Sequence, residues 1–158
     1  MKRIIYLVCI HLLCCAAAQA SNLRQISSRE GISNNAILSL AQDKHGFIWV
    51  GSCDGLNMWD GERMRLFPND WGEYTPLSGN LIEEIAVTTD SLFWIRTNYG
   101  LDLFDPVAKT FTNYRDRSPN NLLYHIHDIK EYRPGELFIS SDNGMGIFIA
   151  DKGEIIQS

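Results

Sequence analysis

The sequence predicts an all-β chain built from β-propeller blades, and three observations carry this prediction. Related segments recur with a period of about 45 residues. Each period holds four short stretches rich in β-branched and aromatic residues, separated by Gly and Asp turns. After Ala20 no stretch has the 3.6-residue apolar period over the length of a useful helix. Four strands in about 45 residues is the size of one propeller blade.

The first copy of the repeat shows the four predicted strands in order. Alternating apolar residues favour the first strand, and aromatic and β-branched residues favour the next three. The predicted strands cover 37–41, 47–51, 56–59 and 63–67. Turn residues separate them at 43–46, 53–55 and 60–61. We expect an incomplete ring of three four-stranded antiparallel blades, at about 31–67, 77–114 and 120–158.

Matching residues in the copies have structural roles. The matching pairs are Trp49 and Trp94, Gly55 and Gly100, and Asp60 and Asp105. The two glycines are expected in hairpin turns with positive φ, where other residues are strained. The two tryptophans are expected between neighbouring blades, where a large ring buries most area. In the third copy Phe138 and Gly144 stand at the corresponding places.

Residues 1–20 are predicted to be a secretory signal peptide. Lys2 and Arg3 precede an apolar run over residues 4–18, and Ala18-Gln19-Ala20 is a small-x-small cleavage site. The run is shorter than the roughly 20 residues that a membrane helix needs. An uncleaved N-terminal anchor is the alternative. No second long apolar run follows, so we expect an exported chain with no membrane span after cleavage.

Charge and cysteine content argue against nucleic-acid binding and against an internal disulfide. The chain has 14 Lys+Arg against 19 Asp+Glu, for a formal net charge of -5, and no basic run follows Arg3. This balance argues against nucleic-acid binding. Cleavage after Ala20 leaves Cys53 as the one cysteine, so no internal disulfide is expected.

The run from Gly31 to Gly51, followed by Asp54-Gly55 and Asp60-Gly61, resembles the two-component regulator propeller repeat. The resemblance extends through the second and third copies, to about residue 156. Departures are visible, because Arg96 and Ser140 stand where the family usually has glycine. Ser52-Cys53 likewise replaces the usual threonine and polar residue.

The resemblance implies that the chain is the N-terminal part of a periplasmic sensor in a hybrid two-component system. Its partners would then be further blades and a histidine kinase in a parent protein anchored in the inner membrane. The resemblance also implies a glycan-derived ligand, such as an oligosaccharide. We expect no enzymatic activity, no cofactor and no contact with nucleic acid for this chain, which we interpret as a fragment.

Two other functions stay open at this point. One is a fragment of an exported propeller enzyme, such as a lyase, for which His125, His127 and Arg96 would be the beginning of a site. Glu83 and Glu84 are adjacent, so on a strand they should point to opposite faces, which is poor geometry for paired catalytic carboxylates. The other is a free-standing exported binding protein that closes its ring by self-association.

Six residues are candidate ligand contacts. They lie in the long loop after the first blade and in the turns between second and third strands, which share one face of a propeller. An aromatic ring can stack on a sugar while polar neighbours bind its hydroxyls. The candidates are Trp71, Tyr74, Asp54, Arg96, Asn98 and Tyr99. The simpler interpretation is that Trp71 and Tyr74 cover the rim of the first blade.

His125 and His127 form the one pair that resembles metal ligands. On a strand they would face the same side and supply two ligands of a zinc site. A third ligand is not evident nearby, so we favour two polar side chains on a strand and expect no metal. Alignment of the copies places the pair opposite Ser39 and Ala41 of the first copy.

Overall fold

A computed structural model describes residues 23–67, 77–114 and 121–150, together with the backbone of 154–157. These residues form twelve β-strands and one short 3-10 turn, Ser28–Glu30. The strands are β1 (Ile37–Gln42), β2 (Ile48–Ser52), β3 (Gly55–Trp59), β4 (Met64–Phe67), β5 (Ile82–Val87), β6 (Phe93–Thr97), β7 (Gly100–Asp105), β8 (Thr110–Tyr114), β9 (Ile126–Arg133), β10 (Glu136–Ser141), β11 (Gly144–Ile149) and β12 (Glu154–Gln157).

The strands form three four-stranded antiparallel sheets, each in simple chain order. β1–β4 make the first sheet, β5–β8 the second and β9–β12 the third. Every consecutive pair within a sheet is antiparallel. Such an up-and-down sheet is one propeller blade. The predicted all-β fold of three blades is therefore confirmed, and we call the sheets blades one, two and three.

A buried apolar cluster joins blades one and two. Trp49 on β2 is 2% exposed, and its ring centre lies 4.9 Å from that of Phe93 and 5.3 Å from that of Phe104. Both phenylalanines belong to blade two, and Leu77 from the connection packs in the same cluster. The tilted and edge-on ring contacts are those that aromatic pairs prefer. The Trp49 ring therefore lies between two blades.

The same arrangement recurs one period later. Trp94 on β6 lies edge-on to Phe148 of blade three, with ring centres 5.9 Å apart. Leu101, Ile129 and Leu137 are buried in the same cluster. Because each tryptophan packs against the following blade, the apolar contact between blades continues through the described part of the chain.

Local turn chemistry explains where the strands end. Gly55, at the β2–β3 turn, has φ +111°, a conformation that other residues rarely adopt. The Asp60 carboxylate accepts the backbone N–H groups of Glu62 and Arg63, at 3.0 and 2.9 Å. Asp105 accepts the corresponding N–H groups at the end of blade two. An aspartate that bonds its own following backbone fixes a tight turn.

Within the described residues, no helix has the length and the apolar character needed to cross a membrane.

Candidate functional site

A cleft of about 720 Å³ lies between blades two and three. The turn between β6 and β7 forms one wall, and the connection that leads into β9 forms the other. The lining residues used below are Glu83, Arg96, Tyr99, Tyr124, His125 and His127. The volume falls in the range of small-molecule sites, which is roughly 300–1,000 Å³.

A backbone hydrogen bond repeated in all three blades positions these walls. In each blade an N–H group from the turn after the second strand donates to a carbonyl just before the first strand. The pairs are Cys53 to Ala36 at 3.0 Å, Asn98 to Leu81 at 3.2 Å, and Asp142 to His125 at 3.3 Å. We call the propeller face that carries these bonds the connection face. The turn after the second strand therefore lies beside the entry to the first strand in each blade.

This register corrects the alignment of the histidines. His125 takes the place of Ala36 and Leu81, because all three accept the repeated hydrogen bond. The predicted match of His125 with Ser39 is therefore wrong. His125 also lies before strand β9 with φ +49°, and not on the strand as predicted.

Arg96 occupies a position that glycine fills in blade one. Gly51 pairs with Ser39 and Leu56, and Arg96 pairs in the same way with Glu84 and Leu101. A Cβ atom on Gly51 would lie only 2.7 Å from Ile82 Cγ2. At this position blade one is in direct contact with blade two. The equivalent position of blade two carries the long charged side chain of Arg96.

The Arg96 guanidinium is held by three groups. Its Nη1 donates to a carboxylate oxygen of Glu83 and, at 3.0 Å, to the backbone carbonyl of Ile126. Its Nε donates to Glu84 Oε2 at 3.1 Å. The Ile126 contact connects blade two to the first strand of blade three.

Glu83 and Glu84 correct a second expectation. The sequence placed their side chains on opposite faces of a strand, but both bond to Arg96. The pairing of β5 with β6 shifts between Ile82 and Glu84. A bulge at Glu83 breaks the alternation of side chains, so neighbouring carboxylates reach the same cation.

Burial affects the ionisation of one of these carboxyl groups. Burial raises the pKa of Glu84 above its ordinary value, and the hydrogen bond and charge of Arg96 act in the opposite direction. The charge of Asp128, on blade three, adds to the rise in the pKa of Glu84. The carboxyl groups of Glu83, Glu84 and Asp128 therefore outnumber the one positive charge of Arg96.

His125 and His127 both bond to Asp142. His125 Nδ1 lies 3.0 Å from Asp142 Oδ2, and His127 Nε2 lies 2.7 Å from Oδ1. The hydrogen bond from His125, followed by that from His127, lowers the pKa of Asp142. All three side chains are more than half exposed. In the part of the chain that the structure describes, no three His, Cys, Asp or Glu side chains have an arrangement that could hold a metal ion.

Aromatic surfaces complete the cleft. Tyr99, in the β6–β7 turn, is 53% exposed. Across from it the Tyr124 ring stacks on the His125 ring, with centres 4.1 Å apart and planes 14° apart. Two aromatic surfaces therefore accompany the charged cluster of Arg96.

The structure brings together some of the predicted ligand contacts and separates others. Arg96, Asn98 and Tyr99 line the cleft with His125 and His127. Asp54 is exposed in the β2–β3 turn of blade one and does not line the cleft. Trp71 and Tyr74 lie outside the described residues.

Three residues at this site, Glu83, Tyr124 and Asp142, were not predictable as site residues from the repeat pattern. Strict alternation puts Glu83 on the face opposite Glu84, because it does not show the bulge between Ile82 and Glu84. Tyr124 was not selected, although it directly precedes the histidine pair. Asp142 lies in the β10–β11 turn, and its closeness to the histidines depends on the pairing of β9 with β10.

Comparison with known proteins agrees with this fold. A sequence model of the family described as "Two component regulator propeller" matches residues 31–54. Histidine kinase P4 of Formosa agariphila is 35% identical over 63 residues, which are 39% of this chain and 5% of the kinase. Residues 31–54 therefore match the repeat that the sequence resembles.

Solved structures are also similar to this chain. The extracellular domain of BT3049 from B. thetaiotaomicron, described as a hybrid two component system, matches with a TM-score of 0.69 and 24% identity over 85% of this chain and 20% of that chain. The extracellular domain of BT4673 from the same organism matches with a TM-score of 0.65 and 26% identity over 84% of this chain and 19% of that chain. A streptogramin B lyase has a TM-score of 0.61 at 18% identity, covering 80% of this chain and 41% of the lyase.

The chain is therefore a segment of a β-propeller that is similar to the extracellular domains of two-component systems. The match to the two component regulator propeller repeat covers residues 31–54. The likeness to the streptogramin B lyase, at 18% identity, is a likeness of fold. The chain spans about 5% of the kinase and about a fifth of the two extracellular domains.

Proposed function

We propose that this chain is part of the periplasmic sensor of a hybrid two-component system, which binds a glycan-derived ligand and signals to a histidine kinase outside the chain. The observation that carries the proposal is the cleft between blades two and three. Residues 1–20 would direct export, and residues 21–158 would belong to the propeller. The parent protein would be anchored in the inner membrane.

The cleft has the chemistry that saccharide binding needs. Tyr99 on one wall and the stacked Tyr124 and His125 on the other offer aromatic faces for sugar rings. Asn98, in the same turn as Tyr99, is exposed and supplies an amide for sugar hydroxyls. Polar groups that fix orientation beside apolar surface are the usual composition of a ligand site.

The position of the cleft provides a way to transmit binding. One wall belongs to blade two and the other to the entry of blade three, and Arg96 joins the two blades through Ile126. A ligand that contacts both walls stabilises one relative position of the blades over others. A ligand shifts such an equilibrium by its difference in affinity for the two states.

Ligand binding to the chain tests this proposal. The chain, expressed with its own export segment in a host with a periplasm, is titrated by saturation-transfer NMR and calorimetry with neutral and acidic oligosaccharides. We expect at least one oligosaccharide to bind and Tyr99→Ala to weaken that binding about tenfold or more, a loss of about 1.4 kcal/mol.

Tyr132→Ala is the matched control, because Tyr132 is also an exposed tyrosine but does not line the cleft. It should bind as the unmodified chain does. If no oligosaccharide binds, or if both substitutions weaken binding equally, the proposed site is wrong.

A further inference from the structure

We propose that Arg96 opens the cleft between blades two and three, and that this cleft binds uncharged oligosaccharides and excludes anionic ones such as oligouronates. This inference rests on the proposed saccharide-binding function and specifies the ligand class of the same site. It follows from two features, which are the residue that separates the blades and the balance of charge around it.

The first feature is the substitution of arginine at a glycine position. In blade one Gly51 lets Ile82 of the next blade approach so closely that one added carbon would overlap with it. Arg96 stands at the same place of blade two, and Ile126 stands where Ile82 does in the pairing. Here the contact with the next blade is made by the guanidinium and a carbonyl group, and the cleft borders this contact.

The second feature is that carboxylates of the protein itself already pair with the Arg96 guanidinium. Two carboxylates, Glu83 and Glu84, bind the one guanidinium. The Nε and Nη1 atoms of the guanidinium both donate to groups of the protein itself. A carboxylate or sulfate on a ligand would have to compete with two resident carboxylates for this cation.

Among the described residues, two further carboxylates, Asp142 and Asp128, lie near the side chains that line the cleft. Asp142 bonds to His125 and His127 and keeps a lowered pKa, so it is anionic at neutral pH. Asp128 acts on Glu84 as a negative charge. Among the described residues that line the cleft, Arg96 is the one Lys or Arg side chain. The charges of the described residues therefore repel an anionic sugar, whereas a neutral sugar loses nothing by this balance.

Paired probes test the charge preference. The chain is titrated at pH 7 with neutral tetrasaccharides of glucose, galactose, mannose and xylose and with tetragalacturonate, at low and at raised salt. We expect at least one neutral tetrasaccharide to bind about tenfold more tightly than tetragalacturonate, which corresponds to about 1.4 kcal/mol of discrimination. Glu83→Gln with Glu84→Gln removes two negative charges and should narrow this ratio at least about threefold.

The role of Arg96 is tested in that same double variant. Adding Arg96→Gly gives blade two the glycine that blade one has at this position, and it leaves no unpaired carboxylates. We expect the affinity for neutral tetrasaccharides to fall about tenfold or more as blades two and three close on each other. Arg133→Gly, an exposed arginine away from the cleft, is the control and should change nothing. Circular dichroism and the unfolding midpoint report whether each variant keeps its fold.

The outcomes separate the two proposals. Tighter binding of tetragalacturonate than of every neutral probe overturns the charge preference and leaves the sensor function in place. Unchanged neutral binding after Arg96→Gly overturns the opening role of Arg96. Absence of binding by every saccharide overturns the inference together with the proposed function.

Discussion

A single glycine determines how closely blades one and two approach. A Cβ atom on Gly51 would overlap with the Ile82 side chain, at 2.7 Å from Cγ2, and would crowd the Ile82 carbonyl oxygen at 3.0 Å. We expect Gly51→Val to destabilise the fold by about 1–3 kcal/mol, because the backbone of a strand cannot move away easily. Urea unfolding followed by tryptophan fluorescence measures this change.

Ser140→Val is the matched control for Gly51→Val, because Ser140 holds the same position of blade three. In the described residues no blade packs on that side of Ser140, so the change should cost less than about 1 kcal/mol. Equal destabilisation by both substitutions would mean that contact with the next blade does not control this position, since valine favours strands over glycine and serine.

At the scale of residues, the sequence was informative where one residue type serves one physical purpose. The positive φ of Gly55 and the burial of Trp49 both follow from residue type and from position in the repeat. The partners of Arg96 could not be predicted, because they depend on a bulge and on a neighbouring blade. A departure from the repeat, arginine for glycine, was the one sequence signal at this site.

At the scale of elements, the β3–β4 turn is sensitive to acid. Backbone hydrogen bonds from Arg63 and then Glu62 lower the pKa of Asp60 to about 2. A carboxyl group with a lowered folded-state pKa stabilises the fold fully above its unfolded pKa of 3.8 and loses this effect as the pH falls through its folded pKa. The contribution of Asp60 should therefore disappear between about pH 4 and pH 2.

Thermal unfolding between pH 2 and pH 7 measures this contribution. The unfolding temperature of Asp60→Asn should lie below that of the unmodified chain by a constant amount above about pH 4, and the difference should shrink toward pH 2. Asp54→Asn changes an exposed aspartate in the neighbouring turn and serves as the control. A difference for Asp60→Asn that stays constant down to pH 2 would contradict the assigned role of the turn.

The strands themselves were largely predictable, and their irregularities were not. Apolar alternation and Gly and Asp turns located the four strands of blade one to within about two residues. The register shift recurs at Ile37/Ser39 and at Ile82/Glu84. Each shift adds one unpaired residue, which strict alternation assigns to the wrong face. The error over Glu83 and Glu84 has this origin.

At the scale of the whole molecule, equivalent positions of blades two and three differ in burial. Leu101 is fully buried between blades, whereas Met145, at the same position of blade three, is 61% exposed. We expect Leu101→Ala to destabilise the chain by about 2–5 kcal/mol. Met145→Ala should cost less than about 1 kcal/mol. Equal losses from the two substitutions, measured by urea unfolding, would mean that the blade-three face is covered in solution.

The fold class was predictable because the evidence for it is repeated. Two tryptophans, two turn glycines and two turn aspartates recur at one spacing, and each recurrence supports the same blade. The cleft occurs once, between two particular blades, and combines residues from β5, β6, the β6–β7 turn and the connection into β9. A site of that kind becomes visible only when the blades are packed together.

The coding DNA beyond the codon for Ser158 tests the central claim most directly, because the proposed function assigns this chain to a longer signalling protein. We expect the reading frame to continue into further propeller blades, a membrane helix and a histidine kinase. A stop codon directly after Ser158, confirmed in the transcript, would contradict the assignment to a sensor kinase.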